Sequence, residues 1–366
     1  MSRTRPFAYC FAAAAATLAS ALVQVPAATA AEKLIYATYI TDAYSATRTD
    51  VWFMKEVEKL SNGEIKFETY WASSLLKAAD LFPGLAKGAA DLAATAPAAY
   101  NPREYPLAHI VMPFLTTKGD ALTLAWNELL ASNADFRKQF ESKGLKVLYG
   151  VSWAENTVWS KRPIAKVDDF KGLKVRAIPP ISDALQRLGA TPVALAWPDG
   201  LEGLQRGVIE AMSAAPFDSA VVGNVQEVAK FGTDAGGTGP FAMAVMAIGA
   251  DRYKKLSEAH RKIIDEVAKE TPAQGVRLLN ESVDAAVTKL CGMKEKLTIS
   301  NFPAAEIEKV QKLAAQTLQA DFIKKAETEA KADGKAMLEQ FKTLLKKHEA
   351  SSTYEPGFER YRKKCG

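Results

Sequence analysis

Three histidines and three cysteines are all that this 366-residue chain offers to the commonest acid–base, nucleophilic and metal-binding chemistries. His260 and His348 sit in charged, helix-like stretches, where an exposed imidazole is the ordinary outcome. No His-Glu-x-x-His, Gly-x-Ser-x-Gly, Cys-x-x-Cys or phosphate-binding glycine loop occurs. The glycine-rich run Gly232–Gly239 lacks the Lys-Ser/Thr pair of a phosphate loop and reads as a bend between lobes. These absences weigh against enzyme chemistry, so no catalytic residue, metal or cofactor is expected. A glycosidase-like carboxylate pair stays open, because the spatial pairing of the many Asp and Glu residues is not readable from order alone.

Long apolar runs are also scarce. Beyond the N-terminal stretch none approaches the roughly 20 residues that span a bilayer; the densest, Phe241–Ala250, is short and ends in charge. The exception is the start. Arg3 and Arg5 precede an almost wholly apolar stretch from Phe7 to Val25, then Pro26 and the small residues Ala27, Ala28, Thr29, Ala30 and Ala31. This is the pattern of a secretory signal at residues 1–30, with cleavage expected after Ala30 and Cys10 discarded with it. An uncleaved anchor is the alternative, disfavoured by Pro26 and the small residues where a cleavage site belongs. Without Arg3 and Arg5 the formal charge falls from +5 to +3, too mild to argue for nucleic acid. The mature chain is expected to be soluble and periplasmic, and is taken as a monomer. Its two cysteines, Cys291 and Cys365, form an even pair in an oxidising compartment, so a disulfide is expected, with two free thiols as the alternative.

What is present is an alternation of strand-like and helix-like segments. Lys33–Tyr39, Glu64–Tyr70, Ala90–Thr95, Leu145–Val151, Leu173–Ala177 and Met243–Ile248 read as strands. Ala46–Ser61, Leu75–Lys87, Ile181–Leu188 and Leu201–Arg206 read as helices, several stopped by glycine. After Gly236-Gly237 helices dominate: Ser257–Glu270, Thr271–Lys289, Ala304–Leu318 and Ala320–His348. The pattern predicts an α/β architecture with mostly parallel sheets. The Lys- and Glu-rich final helix is a solvated face and is assigned no partner.

The stretch from Trp153 to Phe217 carries the most information. It holds Trp153-Ala-Glu-Asn156, Ser160-Lys-Arg-Pro163, Asp168-Asp-Phe-Lys-Gly-Leu-Lys-Val-Arg176, Gly189-Ala-Thr-Pro-Val193 and Gly203-Leu-Gln-Arg-Gly-Val-Ile-Glu-Ala211. Here the chain resembles the DctP-type extracytoplasmic solute-binding subunits of TRAP transporters. Ser61-Asn-Gly-Glu-Ile65, Gly84-Leu-Ala-Lys-Gly88 and Pro113-Phe-Leu extend the resemblance over the mature chain in the same order. It implies a two-lobed periplasmic binding-protein fold with hinge strands and a long bracing helix. Lobe I is expected to hold residues 31–152 plus about 240–280, and lobe II residues 153–239 plus about 281–366.

The resemblance also implies a role for Arg176: at the end of a strand, its guanidinium fork clamps a ligand carboxylate in the interlobe cleft. Two departures bear on the ligand. Asn156 stands where sialic-acid-type members carry a second arginine, and Ser213-Ala214-Ala215 replaces the family's Glu-Asn-Pro. Asn156 and Ser213 are therefore candidate hydrogen-bonding residues without charge. Aromatics fall near the expected cleft at Tyr39, Tyr44, Tyr70, Trp71, Trp153, Trp197 and Phe217, with Trp197 in the place of a family Phe. Of these, Tyr39, Trp71, Trp153, Trp197 and Phe217 are carried as site candidates. Together they suggest a small organic acid, a monocarboxylate with an apolar or ring-bearing body, delivered to TRAP membrane permease subunits. The alternatives are a periplasmic hydrolase using the same cleft, or the ligand-sensing subunit of a receptor.

Overall fold

The computed structural model describes Met1 and residues 31–365; the expected signal segment, its cleavage point and Cys10 lie outside the described residues. Two mixed sheets form the centres of two lobes. In the first, β1 (Glu32–Thr38) runs parallel to both β2 (Ile65–Tyr70) and β3 (Leu92–Thr95). The other members are β4 (Leu145–Ser152) and a late strand, Met243–Gly249, which lies antiparallel between β3 and β4. The second sheet takes β5 (Asn156–Ser160), β6 (Lys174–Arg176), β7 (Thr191–Val193), β8 (Ala211–Pro216) and β9 (Phe231–Thr233). The late strand is β10, and β11 (Thr298–Ile299) pairs parallel with β9 at the edge of the second sheet.

The sheets are mixed rather than mostly parallel, and the reason is the path of the chain. It leaves the first lobe after β4, builds the second, and returns as β10. β10 therefore enters from the opposite lobe instead of through a crossover helix, and lies antiparallel to its neighbours. The two crossings, Trp153–Glu155 and the segment after β9, touch: the Asn156 N–H donates to the Gly239 carbonyl at 2.9 Å. Gly239 is left-handed (φ 62°), and a Cβ there would meet the Thr116 carbonyl oxygen at 1.9 Å, so only glycine fits. The glycine-rich bend expected from sequence is this return crossing.

A 34-residue helix, Glu258–Cys291, braces both lobes. It packs on the Ser45–Leu60 helix and β4 on one side, and on the Phe217–Val222 and Gly357–Cys365 helices on the other. Two helices divided near Pro272 were expected; the chain instead runs straight through, with Pro272 buried against the first lobe. Tertiary packing along the helix outweighs the lost backbone donor. Two other expected helices are interrupted, whereas Leu201–Arg206 is extended to Trp197–Gln205. Leu75–Lys87 is helical only as a 3-10 turn at Ala78–Asp80 and a helix at Leu81–Ala86. The run from Ala320 to His348 breaks before Gly334, because the Asp333 carboxylate accepts the Ala336 N–H and starts a new helix, Gly334–Glu349. The terminal helix Gly357–Cys365 was not foreseen. Cys365 at its end is bridged to Cys291 at the end of the long helix, with Cα atoms 5.6 Å apart.

Candidate functional site

A cavity lies between the lobes, with about 430 Å³ of void space including its open mouth. The first lobe contributes Tyr39, Ile40 and Tyr44 after β1, and Ala96, Ala99 and Tyr100 after β3. The second contributes Arg176 and Ile178 from the end of β6, Trp197, Ala214 and Pro216 of β8, and Ser219. Trp153, Phe241 and Ala242 come from the crossings. The lining from β1, β3 and β6 gathers at the carboxyl ends of parallel strands, where open α/β sheets bind ligands.

Arg176 is the only charged residue of the lining, and it is 1% exposed. Its Nε donates to the Leu195 carbonyl at 3.1 Å, and Nη1 donates to the carbonyls of Ser213 (3.1 Å) and Ala214 (2.8 Å). Two successive carbonyls reach one nitrogen because β8 bulges there. Thr157 faces Ala215 and Trp159 faces Met212, so Ser213 and Ala214 together oppose a single residue. Ala214 takes a left-handed backbone (φ 49°), which an alanine adopts at a cost of about 1–2 kcal/mol. The bulge thus holds the guanidinium through Nη1, while Leu195 holds Nε. Nη2 donates no hydrogen bond of 3.5 Å or less among the described residues. The Tyr100 hydroxyl stands close enough to favour the charged guanidinium, and no carboxylate there pairs with the side chain.

The electrostatics follow from burial. Withdrawal from water pulls the Arg176 guanidinium below its ordinary value, opposed by the neighbouring Tyr100 and Tyr39. Burial pushes the Tyr39 phenol far up, and Tyr100 moves up as well, against the pull of Arg176, so both remain neutral. Their rings meet edge to face at 4.9 Å. The guanidinium also stands 5.5 Å from the centre of the Trp197 ring. A monovalent cation in an aromatic enclosure is what this arrangement presents.

Of the residues singled out from sequence, Arg176, Tyr39, Trp153 and Trp197 are brought together in the lining, with Tyr44 beside them. Five others are not, among them Tyr70, whose hydroxyl donates to Glu68 at 2.6 Å. Asn156 is fully buried one layer behind: its Nδ2 donates to Ser213 Oγ (3.1 Å), and its Oδ1 accepts from the Ala215 N–H (3.2 Å). It steadies the bulge instead of facing the cavity. Ser213 likewise spends its hydroxyl on Asn156 and touches the site only through its carbonyl. Phe217 is sealed against Phe358, ring centres 5.3 Å apart, and Trp71 leans on Tyr36 in the first lobe at 5.2 Å. Each has a better partner inside its own lobe than the cavity offers. Tyr100, Ile178 and Phe241 were missed. Tyr100 had a readable signal, since it follows the carboxyl end of β3 by a short helix; Ile178 and Phe241 had none.

The sequence profile of the bacterial extracellular solute-binding proteins, family 7 (DctP), matches residues 40–325. A solute-binding protein of Albidiferax ferrireducens is 29% identical over 73% of this chain and 84% of its own length. The ectoine/5-hydroxyectoine-binding periplasmic protein of Ruegeria pomeroyi is 26% identical over 83% of this chain and 89% of its own. Among solved structures, a TRAP solute-binding protein of Rhodoferax ferrireducens in complex with copurified benzoate superposes with a TM-score of 0.77. It is 25% identical and covers 87% of this chain and 99% of its own.

Proposed function

The chain belongs to family 7 of the bacterial extracellular solute-binding proteins, and from that premise we propose that it captures a small monocarboxylate with a ring-bearing or apolar body. Binding takes place in the interlobe cavity of the periplasmic protein, and the closed form hands the acid to the TRAP permease subunits. The observation that carries this reading is Arg176: a buried cation with no protein carboxylate beside it and Nη2 donating no hydrogen bond of 3.5 Å or less among the described residues. A buried charge left unpaired is costly, and an incoming carboxylate relieves that cost while forming charge-assisted hydrogen bonds. One cation matches one carboxylate. The remaining wall, from Ile40, Tyr100, Trp153, Ile178 and Phe241, favours an apolar remainder over a second charge. The Rhodoferax relative's benzoate has the same make-up, one carboxylate on one ring.

Among the described residues the lining holds no Asp, Glu, His or Cys, so a hydrolase reading finds no support there from the usual proton carriers. Titration calorimetry with benzoate, phenylacetate and branched-chain 2-oxo acids, beside succinate and fumarate, tests the reading. Micromolar or tighter binding of at least one monocarboxylate is the expected result; binding of the dicarboxylates alone overturns it.

A further inference from the structure

The cavity's rim contains a bond that joins the lobes directly. Trp197, from the second lobe, donates its indole N–H to the hydroxyl of Tyr44, from the first, at 2.9 Å. The two rings meet edge to face, with centres 6.3 Å apart and planes at 82°. Among the described residues it is the one side-chain-to-side-chain hydrogen bond of 3.5 Å or less between two residues of the lining, beside the looser approach of the Tyr100 hydroxyl to Tyr39 and Arg176. Both partners are half-buried, whereas Arg176, Tyr39 and Trp153 lie deeper, so the pair stands at the mouth.

Each partner is held in place by its own lobe. Tyr44 precedes the Ser45–Leu60 helix, and its carbonyl accepts from the Arg48 N–H (2.9 Å) and Thr47 Oγ1 (3.1 Å). Trp197 opens the Trp197–Gln205 helix just ahead of Pro198. Its ring passes beside Gly223, where a Cβ would come within 3.3 Å of Cζ2, and near the Arg176 guanidinium. The donor is thus aimed across the cleft by packing within the second lobe, and the acceptor is anchored by a helix start in the first.

We propose that Trp197 and Tyr44 form a latch that holds the lobes closed over the ligand and sets how long the ligand stays. This rests on the reading of the cavity as the solute site. A bond that exists only when the lobes are shut biases the open–closed equilibrium by its net worth, roughly 2- to 10-fold for one hydrogen bond. Ligand enters the open form and must leave through it, so the latch slows dissociation, and it slows association only by the fraction of ligand-free protein that it holds closed.

The test uses Tyr44→Phe, which keeps its ring and removes the acceptor, and Trp197→Phe, which removes the donor and leaves a smaller aromatic ring near Arg176, together with the double variant, whose non-additivity isolates the shared bond. Stopped-flow kinetics with benzoate should show dissociation about 3- to 10-fold faster in each single variant, with association changed no more than the gain in open ligand-free protein allows. The double variant should be no faster than the singles, because one bond is lost in all three. Additive effects, or dissociation equal to the wild type, overturn the latch. Spin labels at the exposed positions Lys55→Cys and Gln205→Cys, one on each lobe, supply an arm that needs no ligand. There the closed-distance population should fall in each variant. If benzoate does not bind the wild type, the choice of ligand fails while the label distances still decide the latch: distributions identical in wild type and both variants overturn it.

Discussion

Arg176 and Glu155 are both withdrawn from solvent, at 1% and 2% exposure, yet the fold answers the two charges differently. Glu155 sits on the outgoing crossing between the lobes. One carboxylate oxygen accepts from the Tyr354 hydroxyl and the other from the Gly357 N–H, both at 2.6 Å. Burial pushes its carboxyl up to about 7, against the pull of those two donors and helped by nearby Asp218. Asp50 in the first lobe is treated alike: the Tyr36 and Tyr149 hydroxyls donate to it, and burial raises it to about 6. Arg176 donates only to neutral carbonyls, and only through Nε and Nη1. A strongly shifted carboxyl is the usual pointer to a functional site. Here that pointer leads away from the cavity, to two architectural carboxyls whose hydrogen-bonding capacity the chain itself fills. The cation left without a countercharge is the feature on which the proposed site rests.

The largest expected effect breaks the cavity side of this comparison. Arg176→Ala should weaken carboxylate binding by about 3–5 kcal/mol, on the order of several hundredfold or more, because the ligand's charge then enters a cavity with no cation. Stability should change much less, since the substitution removes an unpaired buried charge while freeing three carbonyl acceptors. Calorimetry and thermal unfolding on the same preparation separate the two. A variant that binds as tightly as the wild type removes Arg176 from the site.

Next comes the tie that closes the strap around Glu155. The Cys291–Cys365 bridge spans a sequence separation of 74, and replacing both cysteines by serine should cost roughly 3–4 kcal/mol of stability. The strap has other anchors. Asp120 accepts from the Ser352 hydroxyl and from the backbone of Thr353 and Tyr354, and Phe358 packs between Trp159 and Phe217. The fold should therefore survive with a lower denaturant midpoint and with ligand affinity within about twofold of the wild type, since no atom of the cavity is touched. A loss of affinity as large as that of Arg176→Ala would mean that the strap and the site are one unit.

How far the molecule was readable follows from the same residues. Arg176 was legible because a motif placed it at a strand end, and strand ends face the cleft. Asn156 and Ser213 were expected at the cavity and their side chains lie behind its lining, because order along the chain does not say which side of a bulge a side chain takes. The bulge itself was invisible: β8 is Ala-Met-Ser-Ala-Ala-Pro, with no β-branched or aromatic residue to announce a central strand. The brace at Glu258–Cys291 was legible as helix but not as a single helix, because Pro272 is a reliable stop only where packing does not override it. Glu155 carried no signal at all, since its partners lie about two hundred positions away.

The smallest expected effect is read from pH and bears on the Glu155 side alone. A carboxyl raised from 4.5 unfolded to about 7 folded binds more proton in the folded state between those values. Its contribution to stability is complete below pH 4.5 and is lost as pH rises toward 7. Glu155→Gln mimics the protonated form, with an amide able to serve Tyr354 and an oxygen to accept the Gly357 N–H. The variant should therefore lack this decline, and its stability relative to the wild type should grow by roughly 3 kcal/mol at most from pH 4.5 to 7. Asp50, raised to about 6, contributes its own decline in both proteins and cancels in the difference. Asp218, pushed up by burial, loses a like-charged neighbour in the variant, which adds to the gain at the upper end of the range. Urea midpoints at pH 4 and pH 8 are sufficient. Parallel curves would mean that Glu155 stays ionised inside the fold, and the contrast with Arg176 would then be one of countercharge alone.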